Sequence, residues 1–294
     1  MDKYYGIYYF ICIIWCLAFI GMTLYLYFNN SRPYVAKFKE RFYPRIPSNL
    51  NPGELSNLMY KKVFPEVFTA TIMVLVKKDI LILKRHKKEY TLSLNKLDAK
   101  LSPSQKLVLN ILINDIGNGE KVTFKQIEDY CKSPRNCSEF LLNYQLWSKM
   151  ITKESNKKRF YEDKTQYNQV KSMRMIGIIL FLINIIFNYH SLIGYAIIVP
   201  ACFIVLYFYK IYKRTESANE EYSKWLAFKR YLVHIDDFVY QKDDIASYII
   251  YGLVLKMPDL EKKLTDFHCV EKLNNLITHN VVMANLKGSR SFHR

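Results

Sequence analysis

Glycine and proline are scarce in this 294-residue chain, at nine each, and tryptophan is scarcer still at three. So little glycine excludes collagen-like and glycine-rich low-complexity chains. The six cysteines, at 12, 16, 131, 137, 202 and 269, lack the close pairing of a disulfide framework. Acidic residues are in deficit, 26 against 43 Lys and Arg, which leaves a formal charge of +17. Nucleotide chemistry lacks its usual signals: there is no Gly-rich loop ending in Lys-Ser/Thr and no dinucleotide fingerprint, and no His-Glu-x-x-His metal helix occurs either. What is abundant is apolar, 50% of residues, and aromatic, 15%, which excludes a disordered chain. Mean hydropathy is nonetheless −0.08, so the apolar residues sit in blocks.

Two blocks stand out. Tyr8 to Tyr27 carries no charge and, at 1.5 Å per residue, would span about 30 Å as a helix, the thickness of a bilayer's hydrocarbon. Tyr4, Tyr5, Tyr8 and Tyr9 at one end and Tyr25 and Tyr27 at the other form an aromatic-belt pattern. No small-residue cleavage site precedes Asn29, which favours a retained anchor over a signal peptide. Met175 to Tyr209 is also uncharged and is divided by Asn188-Tyr-His-Ser191. It reads as two short spans in a tight hairpin, with Pro200 kinking the second and Asn184 facing a neighbouring helix. One long tilted helix and a buried soluble hairpin are the competing readings.

Lysine and arginine orient these spans. Lys3 alone precedes the first, whereas Arg32, Lys37, Lys39, Arg41 and Arg45 follow it, and Lys210, Lys213 and Arg214 follow the last. The N-terminus and the 188–191 turn are thereby placed outside, with 29–174 and 210–294 in the cytoplasm. Basic residues outnumber acidic ones two to one between 29 and 174. An anionic inner leaflet is the first explanation of that excess, and nucleic acid is the other natural polyanion.

The predicted fold class is a mainly α membrane protein. It has three transmembrane helices, one N-terminal and two in a central hairpin, with winged-helix-like α+β cytoplasmic modules and a helical C-terminal domain. Its parts are a first span over 1–28, a linker over 29–53 rich in proline, and a winged-helix-like module over 54–100. A second helical or winged-helix-like module follows over 101–172, then the membrane hairpin 175–209 and a cytoplasmic helical domain 210–294. Within these, Glu54 to Tyr60 and Glu66 to Val76 read as helices, the second led by Pro65. Ile80 to Leu83 and Glu89 to Leu94 read as strands. Ser102 heads a helix over Leu107 to Ile113, Lys125 to Tyr130 makes a small helix, and 137–172 makes a longer one. Tyr222, Trp225, Leu226, Lys229 and Leu232 form the stripe of another helix. Ile245 to Leu255 is too short for a span and reads as a buried or interfacial helix. A last helix covers 266–280, ahead of a frayed tail from Gly288.

Several of these segments carry a family resemblance. Asn51-Pro-Gly-Glu-Leu55, Thr69 to Leu83, Tyr90-Thr-Leu92, Leu101 to Leu109, the apolar hairpin, Trp225 to Leu232 and Ile245 to Leu255 follow in order and spacing. Together they resemble the C-terminal region of the YciQ-like predicted membrane proteins, a family of unknown function. The resemblance implies residence in a bacterial cell membrane and supplies no catalytic residue. Members of that family usually begin with a signal peptide and an extracytoplasmic domain, which this chain is expected to lack. The family's glycine-rich end is replaced here by 266–294.

No catalytic, cofactor or metal residue is assigned, and no cofactor is implied. Cys131 and Cys137 lack a second ligand pair for zinc; Cys12, Cys16 and Cys202 fall in the apolar blocks. Cys269 beside His268 reads as a surface accident before it reads as a reactive pair. The carboxylates Asp236, Asp237, Asp243 and Asp244 motivate one alternative, an enzyme, although solvated helix caps explain them more simply. The candidate site is the basic hairpin: Lys77, Lys78, Lys84, Arg85, Lys87 and Lys88, a lipid- or nucleic-acid-binding group. Glu66 to Val76 offers no Arg, Lys, Asn or Gln to read base edges, so a membrane-tethered DNA-binding regulator is a second alternative, not the leading one. The leading reading is a non-enzymatic scaffold or regulator at the inner leaflet, with anionic lipid and an unidentified membrane or cytoplasmic protein as partners.

Overall fold

Three helices begin with the same local chemistry. Asn51, Ser102 and Thr123 each accept a hydrogen bond from the backbone three residues on, and Glu54, Gln105 and Gln126 each reach back to the cap's own N–H. These capping boxes satisfy two otherwise orphaned donors at each helix start, so the sequence itself sets those boundaries. The computed structural model describes residues 34–87, 89–96, 100–162, 213–237, 244–257, 259–265 and 269–291, with isolated positions at 10, 14, 17, 21, 175 and 179. The chain divides into two units, Met1–Lys37 with Arg159–Asn219, and Phe38–Lys158 with Glu220–Arg294.

The larger unit opens with α1 (Pro52–Tyr60) and α2 (Pro65–Lys77), followed by β1 (Leu81–His86) and β2 (Glu89–Leu94). Helix α3 (Pro103–Leu109) widens into a π-helical turn over Asn110–Ile116, and β3 (Lys121–Thr123) leads into α4 (Phe124–Tyr130) and α5 (Pro134–Asn156). Then come α6 (Glu216–Val233), whose first residues belong to the smaller unit, α7 (Ile245–Val254), α8 (Leu260–Leu264) and α9 (Cys269–Ser291). The strands form one antiparallel sheet in the order β1-β2-β3, with Leu83 opposite Leu92 and Leu92 opposite Val122.

The core lies among α2, α5, α9 and one face of that sheet. Phe68 meets Trp147 edge-on at 4.9 Å and Phe140 at 6.4 Å, and all three are buried. Leu273, Ile277 and Val281 of α9 close the same cluster. Two devices hold α9 in place. The buried Glu261 carboxylate of α8 accepts the N–H groups of Val270 (3.0 Å) and Glu271 (2.7 Å), where the helix dipole favours negative charge. Asn280 Nδ2 donates to the Ile127 carbonyl at 2.7 Å, tying α9 to α4.

A second cluster joins α6 to α7, with Trp225 against Tyr251 (4.9 Å) and Phe228 against Tyr248 (5.8 Å). The proline-bearing stretch from Phe38 to Leu50 is fastened to these helices. The Phe38 N–H donates to Glu220, Ser48 Oγ to the Glu221 carboxylate, Trp225 Nε1 to Ser48, and the Tyr251 hydroxyl to the Leu50 carbonyl. In the smaller unit three distant segments meet. Tyr161 and Arg214 form an isolated β-bridge. The Tyr34 hydroxyl donates to Glu162 at 2.6 Å, the Lys213 ammonium lies 3.8 Å from the same carboxylate and 4.1 Å from the Tyr34 ring centre, and Asn219 Nδ2 donates to the Tyr34 carbonyl.

The expected architecture needs correction. Among the described residues no helix is long and apolar enough to cross a membrane, and what they form is an α+β fold rather than a mainly α protein of three spans. The most apolar described helix, α7, has 10 residues, about 15 Å, or half a bilayer's hydrocarbon; its apolar side chains are spent on the core. The segments 8–27 and 175–209 lie outside the described residues but for single positions. The winged-helix outline finds no support either: the hairpin takes its third strand from β3, across the boundary expected at residue 100. The long helix expected over 137–172 ends at Asn156, and Arg159 takes a left-handed φ of 50°, which turns the chain out of helix. On α6 the buried residues are Ala218, Trp225, Ala227, Phe228, Tyr231 and Leu232; of the predicted stripe Trp225 and Leu232 are fully buried, whereas Tyr222, Leu226 and Lys229 are only half-buried. Helix α9 runs to Ser291, well past residue 280.

Candidate functional site

Strand alternation decides what the basic hairpin can present. Residues facing each other across an antiparallel pair share a face. Leu81, Leu83 and Arg85 therefore lie with Leu94, Leu92 and Tyr90 on the core side, whereas Ile82, Lys84 and His86 lie with Ser93, Thr91 and Glu89 on the other. Lys84 and Arg85, adjacent in sequence, leave opposite faces of the sheet. Arg85 sits at the strand's end, beyond the buried Leu81 and half-buried Leu83, with its guanidinium 5.6 Å from the Tyr90 ring centre. Lys87 occupies the turn with φ of 54°.

The remaining candidates are placed elsewhere or lie outside the description. Lys77 Nζ donates to Ser247 of α7, so it fastens two helices. Lys78 caps α2 at the opposite end of β1, roughly 20 Å of strand away from Lys87. Lys88 is outside the described residues. The structure thus leaves Lys84, Arg85 and Lys87 near the hairpin tip, with Lys84 on the outer face and Arg85 on the core-side face, and separates Lys77 and Lys78 from them. Lys78, Lys84, Arg85 and Lys87 are exposed and make no ion pair among the described residues.

An open cleft of about 530 Å³ adjoins the tip. His86, Lys87 and Glu89 line it from the hairpin, Lys125, Glu128 and Asp129 from α4, Lys132 from the turn that follows α4, and Lys272 from α9. Tyr90 and Phe124, 5.2 Å apart, also line it. Asp129 is taken up by Lys132 at 2.6 Å. Lys125, Lys132 and Lys272 escaped the sequence reading because they are far from the hairpin along the chain, and only the docking of α4 and α9 beside β2 makes them neighbours. Their one trace in the sequence is that Lys125 and Lys132 bracket α4, the first inside its opening turn and the second two residues past its end.

The carboxylates do not assemble around an ion in the described residues. Asp236 is bonded to Lys263 at 3.0 Å, Asp244 precedes α7, and Asp243 lies outside the description. No group of three metal-binding side chains occurs among the described residues. Cys131 and Cys137 are buried in the core, the former with its thiol toward the Asn280 carbonyl. The Cys269 thiol is pushed up to about 11 by burial and by Glu261, 3.6 Å away, so it stays protonated at neutral pH. Its sequence neighbour His268 is outside the described residues. Helix α2 offers DNA no reading face through Val67, Phe68, Ala70, Ile72 or Leu75, all fully buried.

Compared with known proteins, residues 39–255 match the family model described as "Predicted membrane protein (DUF2207) C-terminal domain". The match covers most of the chain and bears out the resemblance carried by Thr69 to Leu83 and Trp225 to Leu232. Helix α9 falls beyond its end. No curated protein and no solved structure matches the chain.

Proposed function

The chain belongs to the DUF2207 C-terminal family of predicted membrane proteins, and from that premise we propose that it is a non-enzymatic scaffold or regulator at a bacterial inner leaflet. Its larger unit presents a basic surface to anionic lipid and keeps an unidentified protein partner close to the membrane. The observation that carries this reading is the hairpin tip. Lys84, Arg85 and Lys87 project from a strand pair whose inner residues Leu81 and Leu92 are locked in the core, so three cations are held out on a rigid support.

Each cation near an anionic leaflet contributes about 1 kcal/mol at ordinary ionic strength. Three are enough to orient a unit held at the membrane by other parts of the chain, and too few to recruit it unaided. Confinement at a surface then raises the effective concentration of the unit for any membrane-bound partner.

Hydrogen exchange tests the reading. The full chain is reconstituted into lipid nanodiscs, either zwitterionic or containing phosphatidylglycerol. Amides of residues 84–90 should exchange several-fold more slowly in the anionic discs, and raised salt should abolish the difference because it screens the cations. Identical exchange in both discs would remove the hairpin from the membrane.

A further inference from the structure

We infer that the outward face of α5 is a second lipid-contact surface, whose occupant is an anionic bilayer. This inference rests on the reading that the protein works at a membrane, but on different residues. Helix α5 has 23 residues, about 34 Å of rod. Its inner side is fixed by Cys137, Phe140, Tyr144, Trp147 and Ile151. At 100° per residue, Arg135, Leu142, Leu146, Lys149 and Lys153 fall within an arc of about 60° on the opposite side.

Leu142 is 67% exposed and Leu146 45%. A lone surface leucine needs no explanation, but these two stand one turn apart, in line, with Lys149 and Lys153 on the next two turns and Arg135 two turns before. None of the three cations forms an ion pair among the described residues. Leucines that enter the acyl boundary, with long basic stems reaching back to phosphates, are the design of an interfacial helix.

Charge selects the occupant. One acid, the exposed Glu139, borders the stripe, so the three cations leave this face with a net positive charge. A second copy would set two such faces against each other, whereas an anionic surface is attracted to the excess. Chain order agrees: α5 is followed by Lys157, Lys158 and Arg159, and then by the uncharged run from Met175 to Tyr209.

The test uses the full chain with a nitroxide at Leu146→Cys, read as the difference from the chain without the added cysteine. Labels at Lys84→Cys and Asn275→Cys report the hairpin and an exposed site on α9. Vesicles are phosphatidylcholine alone or with phosphatidylglycerol. The ratio of collisions with oxygen to those with a water-soluble nickel chelate should rise at least threefold at position 146 in the anionic vesicles only. Lys149→Gln with Lys153→Gln should abolish the rise, and Asn275 should stay aqueous throughout. The inference is overturned if position 146 stays aqueous in both vesicles. It is overturned equally if that position is shielded regardless of lipid charge, which would mark a protein contact or a second copy. A response at Lys84 without one at Leu146 ends this inference and leaves the hairpin contact standing. The reverse pattern ends the hairpin contact and upholds α5, and silence at both sites ends both.

Discussion

The centre of the larger unit and the tip of its hairpin belong to one sheet, yet they use it oppositely. At the centre, Leu81, Leu92 and Val122 pack against α2 and α4, and Trp147 is fully enclosed by its neighbours. At the tip, a few residues further along the same strand, the described charged side chains are exposed, Arg85 with its guanidinium near the Tyr90 ring. Burial at one end of β1 supplies the rigidity with which the other end can hold its cations out on the two faces of the strand pair. The lesson is a division of labour within one strand: stability comes from the half that has no charge, and recognition is left to the half that contributes little to stability.

Substitutions can break that contrast. Trp147→Ala should lower stability by about 3–5 kcal/mol, as expected for deleting a buried aromatic ring, measured by denaturant unfolding of the full chain. Glu261→Ala, which strips two backbone donors at the start of α9 of their acceptor, should cost about 1–3 kcal/mol, with faster amide exchange at Val270 and Glu271 as its local signature. Ser102→Ala removes one capping side chain and should cost about 1 kcal/mol. Lys84→Gln with Lys87→Gln should leave stability within about 0.5 kcal/mol. A loss there as large as that of Trp147→Ala would show the tip to be structural and end the contrast.

Cys269 sharpens the comparison from the packed side. Its thiol, pushed up to about 11, should alkylate on the order of a hundredfold more slowly at pH 8 than an ordinary cysteine of pKa about 8.5. The rate should climb as pH rises toward 11. Glu261→Gln takes away the nearby negative charge that helps hold the proton, so the thiol should fall in pKa and react faster. An unchanged rate in that variant would mean that burial alone sets the thiol.

Much of the local structure was legible in the chain. Asn51-Pro-Gly-Glu54 and Ser102-Pro-Ser-Gln105 announced helices because a cap, a proline and a returning side chain are all short-range chemistry. Pro65 marked the start of α2, and the hairpin was visible from its change of period. The family likeness was legible as well, through the order of several weak matches. The predicted stripe on α6 held at Trp225 and Leu232 but missed Ala227, Phe228 and Tyr231, because that helix packs against both α7 and the 38–50 connector. A helix buried on more than one side loses the single apolar face that pattern reading assumes. The candidate site was half legible: charge density found the hairpin but could not tell that Lys77 would be spent on Ser247.

By itself the sequence determined the helix starts, the strand pair, the excess of positive charge and the family, all of which depend on residues close together or on composition. Only the tertiary structure decided that β3 completes the sheet, that α9 closes the core, that Lys84 and Arg85 part company, and that the described residues form an α+β fold instead of three membrane spans. These outcomes depend on which distant surfaces bury each other, and that energy is shared among segments whose spacing along the chain leaves no local trace.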